Sequence, residues 1–168
     1  HIVMSGNGDP LASAIMRPLI KEFQPRPTQT IRLFTNGLLL QKQLADAPIL
    51  KHITQYFISI DAGSAAVYEQ VRLGGQWSQL ISNLNWLRDT VAVTGAEVLL
   101  KFVLQQDNYH DMQNFCKLCV DYGFQGVIHR LEDWGTWPSF DQHDVVGNIN
   151  HTDHSAAMYF LQSTYSQY

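Results

Sequence analysis

The sequence predicts an α/β fold organised on a parallel sheet, and three observations carry that prediction. Short apolar runs alternate with stretches of helical periodicity along the whole chain, in the order strand, helix, strand, helix, strand, helix, strand, helix, strand. Such alternation implies parallel strands joined by right-handed crossovers. The run Glu97 to Leu104 is apolar at nearly every position apart from Lys101, the pattern of a strand covered on both faces. The segments that close the apolar runs are polar: Ser5 to Asp9, Thr35 to Gly37, Ser59 to Asp61, Gln105 to Asn108 and Arg130 to Asp133. In parallel α/β sheets, functional groups gather at these carboxyl ends.

Ile2, Val3 and Met4 make a first strand, which runs into Ser5-Gly6-Asn7-Gly8-Asp9-Pro10. The glycines free the backbone, and Pro10 suits the first turn of a helix. A turn of this form aims backbone donors at a ligand above the strand end. From Pro10 to Phe23, apolar residues recur at helical spacing, with Arg17, Lys21 and Glu22 on the wet face. Ile31 to Phe34 is a strand closed by Thr35-Asn36-Gly37, and Leu38 to Leu44 starts a helix broken by Pro48. Tyr56 to Ile60 is a third strand, followed by the loop Asp61-Ala62-Gly63.

Ala65 to Val71 is a short helix, and Gly74-Gly75 separates it from a longer amphipathic helix over Trp77 to Val91. After the strand Glu97 to Leu104, Asp107-Asn108 caps a helix that reaches Tyr122 and ends at Gly123. Gln125 to His129 is the fifth strand. An aromatic loop with Trp134, Trp137 and Phe140 follows, and a last helix covers Asp153 to Leu161.

The 168 residues read as a single domain, 1–168, with 45 % hydrophobic and 15 % charged residues. A net charge of −4 offers no basic footprint for nucleic acid or an anionic membrane. No apolar run is long enough to span a bilayer, and no leader is visible, so a cytoplasmic location is expected.

The polar strand ends admit more than one role. Asp9 fits an amine ligand or a charge at a helix N-terminus. Ser59 and Asp61 fit a pocket lining or a strand exit and helix cap. Lys101 is expected to pair with Asp61 or Glu132 if it faces inward, or to snorkel from a sheet surface. His151 and His154 stand three apart near His143, Asp144 and Asp153. That spacing suits a divalent ion, but no third ligand is convincingly placed, and a capping turn at Thr152 or Asp153 accounts for it better. Trp134 and Trp137 shape a substrate surface or cover packed structure.

Taken in order, these motifs resemble the radical S-adenosylmethionine (radical SAM) superfamily. Ser5-Gly6-Asn7-Gly8-Asp9-Pro10-Leu11 resembles the family's glycine-glycine-acid motif, and Thr35-Asn36-Gly37 the turn after its next strand. Ile58-Ser59-Ile60-Asp61, with Tyr68-x-x-Val71-Arg72, is similar to the following strand and loop. Val103 to Asn108 and Ile128 to Gly135 resemble the last two strand ends, and His151-x-x-His154 a tail pattern of some members. The resemblance implies a partial (β/α) barrel of about five parallel strands, lacking the first strand of the family barrel. It implies that Gly6, Asn7, Gly8 and Asp9 hold the methionine amino group of S-adenosylmethionine, with Ser59 and Asp61 near its ribose.

The chain departs from the family at the iron site. The family holds its [4Fe–4S] cluster with a CxxxCxxC loop after the first strand, and this sequence contains no such motif. Cys116 and Cys119 fall inside one helix and read as core residues. A 4Fe–4S cluster is therefore not expected in this chain. The sequence reads as a domain truncated before that loop and not competent alone for radical chemistry, and enzyme activity stays an open question. The alternative is a stand-alone binding or oligomerising module derived from the fold. In either case the edge of Ile2 to Met4 is expected to pair with a second copy or a partner chain, because nothing in it blunts strand addition.

Overall fold

The computed structural model describes residues 1–6, 8–135 and 137–167. Five strands form one all-parallel sheet in the order β1-β2-β3-β4-β5: β1 (Ile2–Met4), β2 (Ile31–Thr35), β3 (Ile53–Ser59), β4 (Glu97–Leu104) and β5 (Gln125–Arg130). The helices are α1 (Met16–Glu22), α2 (Leu40–Leu44), α3 (Ala65–Val71), α4 (Trp77–Thr94), α5 (Met112–Tyr122) and α6 (His154–Gln167). The α/β class and the parallel alternation therefore stand as the sequence implied. The chain divides into two compact units: His1–Ser59 with Ser78–Leu100, and Ile60–Trp77 with Lys101–Tyr168.

In the first unit the register runs Val3 beside Arg32 beside Gln55, then Phe34 beside Phe57. Thr54 is the extra residue of a bulge where pairing shifts between Ile31 and Arg32. The bulge resets the phase of β3 so that Tyr56 and Ile58 point to the same side as Leu33 and Thr35. That side is the core: Leu33, Tyr56 and Ile58 are buried, as are Leu40, Leu44, Leu80 and Leu84 of the helices. The Tyr56 hydroxyl has no partner among the described residues, and burial pushes its phenol pKa far up.

The other side of these strands is not sealed. Val3 and Arg32 are exposed and Phe34 and Phe57 half-buried, with the two rings stacked at 4.3 Å. β4 alternates in the same way, with Val98, Leu100, Phe102 and Leu104 buried and Leu99, Lys101 and Val103 half-buried. The expectation of cover on both faces is thus corrected. Leu99 and Val103 are apolar but only partly covered, so the two-residue alternation is present in exposure and hidden in composition.

In the second unit Phe102 packs against Phe115 of α5 at 5.1 Å. Gly123 ends α5 in a left-handed conformation, φ 69°, and takes the chain back to β5. Helix limits differ from the sequence reading at both ends, with α1, α2 and α5 starting later and α4 and α6 running on to Thr94 and Gln167. Residues 10–15 form turns before α1, and Tyr109–Asp111 is a 3₁₀ turn before α5. Asn108 does not cap that turn with its side chain. Its amide instead donates to the carbonyls of Asp61 and Val103, and its Oδ1 accepts from Gln105 N–H at 2.8 Å.

Candidate functional site

In the first unit, Asp9 closes the glycine turn. Its Oδ1 accepts from Leu11 N–H at 2.8 Å, and its Oδ2 accepts from Thr35 Oγ1 at 2.7 Å and Asn36 N–H at 2.6 Å. A carboxylate has about four lone-pair sites, so three are already spent holding the first strand end to the second. Gly8 sits at φ 102°, where a side chain is strained, and a Cβ on Gly6 would meet nothing within 4 Å. The backbone of Gly6 is thus approachable. Asn7 lies outside the described residues. The Ser59 side chain is half-buried and its hydroxyl makes no hydrogen bond among the described residues.

The second unit holds a cleft of about 510 Å³ lined by Asp61, Val71, Arg72, Lys101, Val103, Gln105, His129, Arg130, Leu131, Glu132, Trp134 and Trp137. Asp61 organises its floor. It is 8 % exposed and is the one non-glycine residue with positive φ, 55°, among the described residues. A non-glycine residue held there costs on the order of 1 kcal/mol and persists only where neighbours enforce it. The neighbours are plain. Asp61 N–H donates to the Lys101 carbonyl at 3.2 Å, its Oδ1 accepts from Val103 N–H at 2.7 Å, and its Oδ2 meets Arg72 Nη2 at 2.5 Å. Burial raises the Asp61 carboxyl above the ordinary range, opposed by Arg72, by the Val103 N–H and by Lys101.

The expected pairing of Lys101 with Asp61 or Glu132 does not form: Asp61 pairs with Arg72, and Lys101 carries no ion pair among the described residues. Arg72 follows α3, and its Nε is buried with no partner among the described residues. Its donor fork is therefore only partly used. Sequence reasoning quoted Arg72 within a motif but gave it no role. The signal available was the short reach of one helix, α3, between Asp61 and Arg72.

At the far wall, Arg130 pairs with the nearly buried Asp144 at 2.7 Å, and Gly147 N–H donates to the other oxygen of Asp144 at 2.8 Å. The Arg130 guanidinium holds the Asp144 carboxyl below its usual range despite burial, which alone would raise it. Trp137 stacks on His143 at 4.7 Å, and Trp134 is 81 % exposed.

The histidine pair is engaged with backbone. His151 Nε2 contacts the Gln142 carbonyl at 2.9 Å and its Nδ1 accepts from Asp153 N–H at 3.0 Å; His154 Nδ1 contacts the Val145 carbonyl at 2.9 Å. The imidazoles thus brace the turn into α6. No group of three His, Cys, Asp or Glu side chains placed to hold a metal occurs among the described residues. Cys119 is buried on α5 and its thiol is pushed up to about 12, while Cys116 is half-buried and raised by the same burial. Two thiols on one helix, held protonated by burial, do not fit a three-thiolate cluster.

The described helices include none long and apolar enough to cross a membrane. No protein-family model and no curated protein matches the chain.

Proposed function

We propose that this chain is a radical SAM-like domain whose own residues bind S-adenosylmethionine without cleaving it. The observation that supports this reading best is the Asp61–Arg72 pair: a strained carboxylate at a strand end, tied to a guanidinium whose buried Nε–H has no acceptor. An unsatisfied buried donor costs on the order of 1–3 kcal/mol, and a ligand oxygen relieves that cost. The methionine carboxylate of the cofactor is such an oxygen donor set, and an arginine fork suits it.

The Asp9 carboxylate of the first unit is left out of this reading, because most of its capacity is internal. Asp61 acts by holding Arg72, with one oxygen on the Val103 N–H and the other on the guanidinium. Bound cofactor would supply a sulfonium-linked adenosyl group. With two thiols on one helix, one buried and one half-buried, these residues are assigned binding alone.

Titration calorimetry with S-adenosylmethionine tests the reading. Saturable heat at or below millimolar ligand is expected, with affinity falling about tenfold in Arg72→Gln, the loss of one charge-assisted hydrogen bond. Absence of saturable heat in the wild type would refute it.

The second reading is a self-associating module. Val3 is 57 % exposed on β1, the outermost strand of the sheet. A copy of the chain adding to that edge predicts a concentration-dependent rise in sedimentation coefficient at micromolar protein, abolished by Val3→Lys. A concentration-independent monomer removes this reading.

A further inference from the structure

We propose that the cleft of the second unit also takes an aromatic carboxylate, held by Lys101 and covered by Trp134. None of this involves the glycine turn, and neither residue is assigned to the cofactor. Lys101 is the one charged residue within the apolar body of β4. Its side chain lines the cleft, half-buried, with no ion pair among the described residues. Asp61 attracts the Lys101 ammonium electrostatically, but that carboxylate is committed to Arg72 and makes no ion pair with Lys101.

The groups around it favour an anion. Arg130 spends Nη2 on Asp144 and leaves the rest of its fork at the surface, and His129 stands beside it, exposed. Glu132 is the remaining acid of the cleft. One acid in the wall tolerates a monoanion but opposes a dianionic phosphate. That balance selects a carboxylate.

The second half of the ligand is read from the rim. Trp134 presents an indole that is 81 % exposed, and Trp137 has one face on His143. A large aromatic left in water at the mouth of a charged cleft is an open stacking surface. A flat ring laid on Trp134, with its carboxylate against Lys101, uses both unpartnered features at once.

Quenching of tryptophan fluorescence in the full chain tests this with benzoate and phenylacetate as probes, benzamide as the uncharged control and acetate as the ringless one. Saturable quenching by both aromatic carboxylates is expected, at least about fivefold tighter than by either control. Lys101→Met should weaken benzoate about tenfold and leave benzamide unchanged, a split that a merely structural lysine would not produce. Trp134→Ala, at an exposed position, should bring benzoate down to the acetate level with far-UV circular dichroism unaltered. Equal affinity for benzoate and benzamide, or benzoate binding unaffected by Lys101→Met, overturns the proposal. Stoichiometric displacement of benzoate by S-adenosylmethionine also overturns it, because the cleft would then be the cofactor's alone.

Discussion

Gly63→Ala is expected to destabilise the protein by about 3 kcal/mol or more, read as a lowered urea midpoint with an unchanged slope. Gly63 lies in the loop between β3 and α3, and the chain passes it against the start of α5. A Cβ built there falls 2.0 Å from Phe115 N and 2.2 Å from the Asn114 carbonyl carbon. Both are backbone atoms, so no rotamer change relieves the clash. The φ of Gly63 is not the reason, since it is absent from the positive-φ set. The requirement is closeness of approach. To admit a methyl group, the loop must move off α5, and that loop carries Asp61 two residues earlier. The same substitution should therefore loosen the cleft floor. A midpoint shift of under 0.5 kcal/mol would show that the loop does not pack as described.

Asp111→Ala carries the second large effect, a loss of about 3 kcal/mol, because one buried carboxylate serves four donors. Its Oδ2 accepts from Gly63 N–H at 2.6 Å, Ser64 N–H at 2.9 Å and Ser64 Oγ at 3.1 Å, and its Oδ1 accepts from Asn114 Nδ2 at 2.7 Å. Ser64 occupies the N-cap position of α3 but makes no capping bond of its own. Asp111 does the capping from across the second unit, and its charge also favours the helix start. Asp111→Asn keeps one acceptor oxygen and should cost about half as much. Thermal unfolding followed by circular dichroism separates the three proteins. Equal midpoints for wild type and Asp111→Ala would mean that solvent satisfies those donors. The two substitutions act on the same junction, so their effects should not add.

Neither residue was legible in the sequence, and the reason is physical. Asp111 caps a helix whose start lies 47 residues earlier, and no local pattern records a tertiary cap. Gly63 followed Asp61-Ala62 and read as an ordinary loop glycine; the neighbour that excludes a side chain, the backbone at Phe115, is distant in sequence. Local periodicity did locate α3 and β4 to their termini and placed every strand. The strand ends were legible as polar segments, but not the contacts their side chains make. Asp61 was singled out, yet its partner is Arg72. Lys101 stood out as a charge in an apolar run, but its isolation depends on that pairing choice. Asp9 read as a ligand group, while its carboxylate mostly ties two strand ends together. Sequence marks which side chains are chemically able; which of them remain free is set by contacts made after folding.

Binding of S-adenosylmethionine is expected at Arg72, in the cleft of the second unit. The most direct test is a titration of isotopically labelled protein with that ligand, followed by backbone amide chemical shifts. Saturating shifts are expected at Arg72 and Val103, which line the cleft of the second unit. Shifts that never saturate, or that gather on α6 and leave those two amides unmoved, would contradict it.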